Sequence, residues 1–507
     1  MITVSMTGAG GNLAQEIIKY LLRDKTLFLR LQCHDSKRGR RTARKLRRCC
    51  GRQAEIFFGD VCDPEDCRKL CEGADYLIHL AAVVPPRADH DADATLRTNR
   101  DGTLNLLRVL EKAGSHTKLI YFSSVAVYGH RDPRHPWGRV GDPLVTSAFD
   151  MYGQSKTMAE FAIMESALPS WVILRLSAVL YDNILLSNIS DGLIFHTPWN
   201  ALIEWTTAKE TASLVSAIIR HDLDNRAEGF WRRVYNVGGG RDSRRTGYES
   251  LEDGFQLIGA SVKKFFRPEW TLERNFHCFW FSDSDELEER FRFRCQSSRD
   301  FWAWYARRHW ICRAGALVPS SLLRRLVLDP LLENDNAPAY WAKHGDEARL
   351  QAFYGGREAY DARPRDWSDV KLFCESPDCE RIRSDPAYRR LDHGYDESRP
   401  DSELALEDMC QAAAFRGGAC LSQAAEPGDL YQKLLWQCHE GHPFTASPYT
   451  VLKAGHWCPA CCQVPFEWHT DRIARHSPFH AQVWLDTHDP DEEFVYALKD
   501  GKAFMSK

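Results

Sequence analysis

A tyrosine and a lysine stand four residues apart in the segment YGQSK at 152–156. This spacing puts Tyr152 and Lys156 on one face of a helix. A phenol can give a proton to a ketone oxygen or, as phenolate, take one from a hydroxyl, and a nearby ammonium group favours the phenolate. Ser124 ends the preceding apolar segment, where its hydroxyl can orient the same substrate oxygen. We therefore expect Ser124, Tyr152 and Lys156 to be the catalytic residues of a hydride transfer.

The molecule that donates or accepts the hydride is expected to bind at a glycine-rich turn near the N-terminus. The segment TGAGGNLA at 7–14 follows an apolar strand pattern and opens a helical one. Gly8 permits a tight turn, Gly11 lets phosphates approach the backbone, and Ala14 allows close helix–strand packing. The backbone N–H groups and the helix dipole then face a pyrophosphate. The predicted cofactor-binding residues of this turn are Gly8, Gly11, Asn12 and Leu13.

The residues after the second apolar strand bear on the choice of dinucleotide. Asp35 stands where an acid would bind the adenosine ribose 2′-hydroxyl, which favours NAD. The basic run that follows, with Lys37, Arg38, Arg40 and Arg41, could instead hold a 2′-phosphate. Because Asp35 would repel that phosphate, the sequence favours NAD, and NADP remains the alternative.

Short apolar strands must position these residues. Between them lie helical patterns at 13–22, 95–113 and 155–167, and such alternation predicts a parallel sheet with helices on both faces. A further strand is predicted at 234–237, before three glycines. The other predicted strands cover 2–6, 28–33, 55–58, 76–80, 119–122 and 171–174.

Length and composition indicate several soluble domains. The chain has 507 residues, 44% of them hydrophobic and 27% charged, and a formal net charge of -4. This length exceeds what one core usually supports, and the charge gives no overall basic signature for nucleic acid. Because no apolar run reaches about 18 residues and no signal peptide is apparent, we expect no membrane association and a cytoplasmic location.

The last third of the chain contains two pairs of potential metal ligands. CHEGH at 438–442 and CPAC at 458–461 supply Cys438, His442, Cys458 and Cys461, a set that suits tetrahedral, structural zinc. Cys462 is an alternative ligand. Together with the aromatic residues around it, this segment resembles small zinc-ribbon or treble-clef domains of bacterial proteins.

Residues 1–312 resemble an extended short-chain dehydrogenase/reductase, the NAD-dependent epimerase/dehydratase family. The resemblance rests on an ordered series of motifs. They are TGxxG at 7–11, GDV at 59–61, HLAA at 79–82, NxxGTxNLL at 99–107, SSVAVYG at 123–129, YxxxK at 152–156, LR at 174–175 and YNVGG at 235–239.

The resemblance implies further site residues. Asp60 and Val61 would lie by the adenine, Leu80, Ala81 and Ala82 would line the dinucleotide cleft, and Asn99 would support the active site, with Tyr152 and Lys156 also touching the cofactor. Two departures bear on the substrate. Family dehydratases carry Asp-Glu where this chain has Val125 and Ala126, and family epimerases often have Asn where this chain has Ala178. Both weaken the case for a nucleotide sugar.

The fold class predicted for the chain is therefore α/β. A Rossmann-type doubly wound parallel sheet with a small substrate-binding part (1–312) is followed by a partly helical connector (313–405) and by a small zinc-binding α+β domain with a C-terminal tail (406–507). The predicted function is an NAD(P)-dependent oxidoreductase or epimerase that acts on a hydroxyl or ketone carbon of a small molecule. The alternative is a non-catalytic dinucleotide-binding scaffold or regulator whose zinc module binds a partner. We expect no nucleic-acid partner, and a homodimer is one role open to the module.

Overall fold

The computed structural model describes residues 1–114, 116–182, 184, 191–257, 259–310 and 319–507. Its strands, numbered along the chain, are β1 Ile2–Thr7, β2 Leu27–Cys33, β3 Ala54–Phe58, β4 Tyr76–His79, β5 Lys118–Ser124, β6 Trp137–Gly138, β7 Trp171–Leu176, β8 Ala178–Leu180, β9 Leu202–Thr207, β10 Arg233–Val237, β11 Arg244–Thr246, β12 Trp280–Phe281, β13 Ala419–Cys420, β14 Leu434–Gln437, β15 Pro443–Ala446, β16 Glu467–Trp468, β17 Val495–Lys499 and β18 Lys502–Ser506.

Helices connect and cover these strands. The α-helices of the first half are α1 Asn12–Leu21, α2 Lys37–Cys50, α3 Pro64–Cys71, α4 Arg87–His90, α5 Ala92–Leu96, α6 Gly102–Lys112, α7 Met151–Met164, α8 Ala208–Leu223, α9 Gly247–Gln256, α10 Val262–Phe265, α11 Asp285–Phe291 and α12 Ser298–Arg308. Those of the second half are α13 Ser320–Leu323, α14 Asp329–Leu332, α15 Pro338–His344, α16 Glu347–Tyr354, α17 Arg357–Asp361, α18 Cys379–Arg383, α19 Leu406–Phe415, α20 Pro459–Cys462, α21 Thr470–His476 and α22 Pro478–Trp484.

The central sheet of the described residues has seven strands in the order β10-β7-β5-β4-β1-β2-β3. Every neighbouring pair is parallel. The middle strand is β4, and β1 lies between β4 and β2, with Val4 opposite Leu29 of β2 and Tyr76 of β4. The strand order reverses next to β1, which is the place where open α/β sheets bind ligands. The predicted Rossmann-type doubly wound sheet is confirmed.

Both faces of the sheet are buried, each in its own hydrophobic core. One core lies between the sheet and helices α1, α2 and α8, and includes Ile17, Leu46 and Val215. The other lies under α3, α6 and α7 and continues into the C-terminal part of the chain, so that Ile163 of α7 and Trp436 of β14 belong to one cluster. The C-terminal part therefore packs directly on the outside of this helical layer.

The helix that carries the Tyr-Lys pair starts earlier than the apolar pattern predicts. Helix α7 begins at Met151 because the side chain of Asp150 accepts a hydrogen bond from the backbone N–H of Gly153, 2.8 Å away, and caps the helix. Both Tyr152 and Lys156 thus lie on α7, as the spacing predicted. The helix predicted over 95–113 is divided by a π-helical turn at Arg97–Asp101.

The predicted connector is partly helical and packs against the first part of the chain. Trp341 of α15 stacks on Phe353 of α16, with their ring centroids 5.2 Å apart, and Phe353 also contacts Phe149 just before α7. The domain boundaries at 312 and 405 stay predictions, and residues 313–318 lie outside the described residues.

The C-terminal part contains two small antiparallel sheets among its described residues. One has the order β13-β14-β15 and the other β16-β17-β18. Within the described residues, the structure contains no helix with the length and apolar character that crossing a bilayer requires.

Candidate active site

The structure brings the three predicted catalytic residues together at the carboxyl end of β5. Ser124 is the last residue of β5, and Tyr152 and Lys156 lie one turn apart on α7. The Ser124 hydroxyl lies close enough to Tyr152 to lower the pKa of its phenol. The Lys156 ammonium donates a hydrogen bond to the carbonyl of Phe122, 2.7 Å away, and lies 5.9 Å from the centre of the Tyr152 ring. Strand β5 and helix α7 thus fix a phenol, a hydroxyl and an amine at one place.

Burial shifts the pKa values of Tyr152 and Lys156. It raises the pKa of Tyr152 to about 12, although the hydroxyl of Ser124 opposes the shift. Burial also lowers the pKa of Lys156 to about 7, against the opposing charge of Glu160. Because each shift disfavours the charged form, the site holds a neutral phenol beside an amine that exchanges its proton near neutral pH.

The glycine turn after β1 has the shape that dinucleotide binding needs. Gly8 has φ of +64°, and a Cβ there would lie 2.8 Å from the backbone nitrogen of Ala81. Only glycine combines that backbone conformation with such close contact. Gly11 precedes the first turn of α1, so Asn12 and Leu13 are that turn's first residues.

Thr7 joins this turn to the residues after β4. Its hydroxyl accepts hydrogen bonds from the N–H groups of Leu80 and Ala81, at 3.0 and 2.9 Å. Asn99 fixes the same segment further along: its side chain donates to the carbonyl of Val83 and accepts from the N–H of Val83, and it also donates to Ser155 on α7. The predicted residues Leu80, Ala81 and Ala82 therefore lie beside the glycine turn. The Asn99 side chain fixes the backbone that follows them through its two hydrogen bonds with Val83.

The residues predicted for the adenosine end lie at the neighbouring strands. Asp35, two residues after β2, is exposed and forms a two-point ion pair with Arg40, at 2.5 and 2.9 Å. This pairing lowers the pKa of the Asp35 carboxyl. Arg38 donates to the Asn12 side chain at 3.1 Å, which places a guanidinium next to the glycine turn. An acid and a base are both present where a ribose 2′-substituent would be recognised.

Asp60 and Val61 follow β3 on the same edge of the sheet. The Asp60 carboxylate accepts a hydrogen bond from the N–H of Cys62 at 2.9 Å and so shapes the turn after the strand. Val61 is buried against Gly102, where an added Cβ would lie 2.6 Å from a methyl group of Val61. The predicted residues therefore line one continuous edge, at the ends of β1, β2, β3 and β4.

The predicted zinc ligands converge in the C-terminal part. The ligand atoms of Cys438, His442, Cys458 and Cys461 all lie within 4.8 Å of one another. The Sγ atoms of Cys438 and Cys461 are 3.6 Å apart, and His442 Nδ1 is 3.6 and 3.3 Å from them, respectively. Ligands at about 2.0–2.3 Å around a tetrahedral ion stand roughly 3.5–3.8 Å apart, so this donor set fits zinc. Cys462 is not part of this group among the described residues.

Two tight turns present these ligands. Gly441 has φ of +77°, and its N–H bonds the carbonyl of Cys438, which reverses the chain between β14 and β15. The N–H groups of Cys461 and Cys462 both bond the carbonyl of Cys458.

The C-terminal part holds helix α7 at three places, which the sequence did not predict. Gln154 donates to the carbonyls of Val464 and Glu467 and accepts from the N–H of Phe466. Glu160 lies 3.1 Å from His456 Nε2, and Glu165 accepts from Ser447, Thr450 and Lys433. These positions follow no recognisable motif, because each depends on a partner about 270 to 310 residues away.

Glu160 is the centre of a fully buried charged cluster. It forms a two-point ion pair with Arg175 of β7, which in turn donates to the carbonyl of Ala454. Burial alone would raise the pKa of Glu160, but the charge of Arg175 lowers it to about 2. A negative charge therefore stands one helical turn after Lys156, and residues from three parts of the chain surround it.

The sheet order, the glycine turn and the residues at its edge define a Rossmann-type fold of the kind that binds dinucleotides. Residues 4–180 match the family described as the NAD dependent epimerase/dehydratase family. The N-terminal part of the chain thus carries a domain of this family, which confirms the predicted extended short-chain dehydrogenase/reductase domain.

Similar proteins come from several bacteria. D-erythronate dehydrogenase from Cupriavidus necator is 28% identical over 213 residues, which cover 38% of this chain and 61% of that protein. D-erythronate dehydrogenase from Haemophilus influenzae is 26% identical over 154 residues, with 30% and 42% covered. The chain therefore matches less than two thirds of the length of these relatives.

Solved structures resemble the same part of the chain. A dTDP-glucose 4,6-dehydratase from Streptomyces venezuelae has a TM-score of 0.49 at 18% identity and covers 61% of this chain and 98% of its own. A UDP-glucuronic acid 4-epimerase from Bacillus cereus has a TM-score of 0.47 at 16% identity and covers 61% of this chain and 100% of its own.

Proposed function

We propose that this chain is an NAD-dependent oxidoreductase or epimerase that acts on a hydroxyl or ketone carbon of a small sugar-like molecule. One observation carries the proposal: the phenol of Tyr152 meets the hydroxyl of Ser124 at the end of β5, one helical turn from the amine of Lys156. The family match over 4–180 and the two similar D-erythronate dehydrogenases support a dinucleotide-dependent reaction on a small hydroxy compound.

The residues have separate roles in this reaction. Tyr152 gives its phenolic proton to the substrate oxygen during reduction and, as phenolate, takes it back during oxidation. Ser124 holds the same oxygen in line. Lys156 stabilises the phenolate only when its amine is protonated. Because burial lowers the pKa of Lys156 to about 7, this stabilisation depends on pH near neutrality. A bound nicotinamide dinucleotide would supply or accept the hydride.

The edge of the sheet fits such a cofactor. Gly8 leaves space that a Cβ would fill, and the start of α1 offers N–H groups to a pyrophosphate. Asp35 supports NAD. NADP remains the alternative, because Arg38 and Arg40 stand at the same place.

Zinc binding by Cys438, His442, Cys458 and Cys461 is the second part of the proposal. Four ligands without an open position are typical of a structural ion. Since the ligands lie between β14 and α20, the ion would hold together the surface that contacts α7. The cytoplasmic location and the homodimer stay predictions.

The test uses Tyr152→Phe with Tyr20→Phe as a matched control outside the cleft. Purified protein would first be examined by native mass spectrometry for bound dinucleotide and zinc. Reduction of NAD would then be followed with a panel of sugars, polyols and aldonates. Loss of the acid/base group is expected to lower kcat by about 10²- to 10⁴-fold while dinucleotide binding persists. Full activity of Tyr152→Phe would instead favour the scaffold alternative.

The pH dependence of the same reaction gives a second readout. Oxidation needs the Tyr152 phenolate together with a protonated Lys156. Because burial raises the pKa of Tyr152 to about 12 and lowers that of Lys156 to about 7, oxidation should accelerate as the pH rises toward neutrality and level off above it, where Lys156 loses its proton. Reduction needs the phenol and should not accelerate. Consumption of added NAD in step with substrate would identify a dehydrogenase, and interconversion without net consumption would identify an epimerase.

A further inference from the structure

A cavity of about 240 Å³ adjoins the candidate active site. Asp150, which caps α7 two residues before Tyr152, lies in its wall, and its charge raises the pKa of Tyr152. Pro85, shortly after the segment that lines the dinucleotide cleft, lies in the wall as well. A cavity of roughly 150 Å³ accepts benzene, so this one has room for a single sugar or a short polyol.

Two buried polar groups in this wall lack partners. The hydroxyl of Ser147 and the side-chain oxygen of Asn275 form no hydrogen bond within the described part of the chain. Their residues are only 2% and 3% exposed. The Asn275 amide is held in place, since its nitrogen donates to the carbonyl of Ala352 at 2.6 Å. Because buried polar groups are nearly always satisfied, the Asn275 oxygen points to a ligand that donates a hydrogen bond, and the Ser147 hydroxyl points to one that donates or accepts.

Carboxylates add to the acceptors in the wall. Asp150 and Asp89 both line the cavity, and Asp89 has a long contact of 3.4 Å with the amide of Asn336. Burial and the charge of Asp150 raise the pKa of Asp89 to about 7. A hydroxyl group can donate to the Asp150 carboxylate and to ionised Asp89, and an anionic group is repelled by Asp89 as the pH rises above its pKa of about 7.

The cationic side chains that line the described cavity are already engaged. His277 Nδ1 lies 3.2 Å from a carboxylate oxygen of Asp150. Arg349 pairs with Asp346, and its guanidinium stacks 5.5 Å from the Phe149 ring centre and 5.6 Å from that of Trp341. Burial lowers the pKa of His196 to about 4, which leaves it uncharged at neutral pH. No lining cation of the described residues is therefore left for a phosphate or a carboxylate.

The connector supplies aromatic residues to the wall of the cavity. Trp341 and Phe353 line the cavity together with Phe149, and Asn336 and Arg349 are connector residues too. Flat rings and hydrogen-bond acceptors in the wall of one cavity suit a molecule with an apolar C–H face and hydroxyl edges. Residues 336–353 thus contribute to a cavity that the family domain at 4–180 does not close alone.

We propose that this cavity binds the substrate, that the substrate is an uncharged monosaccharide or polyol, and that the connector is part of the specificity site. The hydroxyl groups of the substrate donate to Asn275 and Asp150 and bond Ser147, while its carbon face rests on Phe149, Trp341 and Phe353. This inference rests on the proposed function, since it names the substrate class of the same site.

Matched pairs of probes test the preference for an uncharged ligand. Erythrose and erythronate, and glucose and gluconate, would be compared by saturation-transfer NMR on the Tyr152→Phe protein and by NAD reduction on the native protein. We expect the uncharged member of a pair to bind at least tenfold more tightly. Tighter binding of the aldonates would overturn this inference and leave the hydride-transfer proposal intact. Binding of sugars with neither NAD reduction nor interconversion of the sugar would support this inference and contradict the hydride-transfer proposal.

Variants locate that binding in the cavity. Ser147→Ala removes a hydroxyl that has no protein partner among the described residues, so stability should be unchanged and KM for the uncharged substrate should rise about 3- to 10-fold. The control is Ser298→Ala, at a buried serine on α12 that does not line the cavity. Unchanged binding in Ser147→Ala would overturn the assignment of the cavity.

Asp89→Asn tests the exclusion of anions. Well above its pKa of about 7, where Asp89 is ionised, removing this carboxylate should lower the preference for the uncharged probe about tenfold or more, mainly through tighter binding of the aldonate. Asp93→Asn, at an exposed position nearby, should leave the preference unchanged. An unaltered preference in Asp89→Asn would mean that another surface selects the substrate.

Discussion

Helix α7 has two very different neighbours. On the cleft side, Tyr152 and Lys156 face β5 and the dinucleotide edge, where each residue belongs to a short motif. On the other side, Gln154, Glu160 and Glu165 bind the C-terminal part of the chain. The first side does the proposed chemistry, whereas the second determines where the helix lies. The comparison suggests that the C-terminal part acts as a support for the active site.

If this is correct, disturbing the C-terminal side should lower kcat and stability but spare dinucleotide binding. The glycine turn lies at the ends of β1, β2 and β4, whereas the C-terminal part packs over α3, α6 and α7. The following three variants, in order of expected effect, test this separation.

Cys458→Ser should have the largest effect. Removing one of the four clustered ligands should reduce bound zinc from about one ion per chain to almost none, since structural sites need their full set. Metal analysis and thermal unfolding measure the result, and Cys420→Ser, outside the cluster, is the control. A variant that lost zinc but kept native Tm and kcat would show that the ion does not support α7.

Glu160→Gln should have an intermediate effect. It leaves Arg175 buried without its carboxylate, which typically costs roughly 3–5 kcal/mol. The substitution should also lower the pKa of Lys156 further, because in the native protein the charge of Glu160 raises that pKa. The limb of the pH–rate profile that needs protonated Lys156 should therefore move to lower pH.

Denaturant unfolding and pH profiles measure these two results, with exposed Glu72→Gln as the control. A stability loss without a shifted limb would mean that Glu160 holds the structure together but does not act on Lys156.

Gln154→Ala should have the smallest effect. Two carbonyls and one N–H of residues 464–467 lose their side-chain partner, which we expect to lower the free energy of unfolding by about 1–3 kcal/mol. The affinity for NAD should stay within about twofold of the native value. Exposed Gln423→Ala serves for comparison, and a clear loss of NAD affinity in Gln154→Ala would contradict the separation of the two sides.

Much of the cleft could be predicted from the sequence because its chemistry is local. The glycines at 8 and 11, the pair Tyr152 and Lys156, and the two metal-ligand pairs all use spacings that a turn or a helix converts directly into proximity. Alternating strands and helices then implied that the strand ends share one edge. Short-range rules therefore sufficed for this part.

The rest depends on contacts that no local pattern encodes. Nothing around His456 marks it as the partner of Glu160, and the connector has no motif that assigns Trp341 to a cavity wall. Asp150 was within reach of prediction, as a helix-capping residue just before the Tyr-Lys pair. The burial that lowers the pKa of Lys156 and the pairing with Arg175 that lowers the pKa of Glu160 appear only when the fold is known.

The contact between Glu160 and His456 also has a consequence for biosynthesis. The two residues are 296 positions apart. At a translation rate of about 5–20 residues per second, α7 leaves the ribosome roughly 15–60 s before its covering partner is made. During that interval the face of the helical layer that will join Trp436 and Trp457 is open to solvent. Nascent chains of this protein therefore expose that apolar face until residues 436–457 have been made.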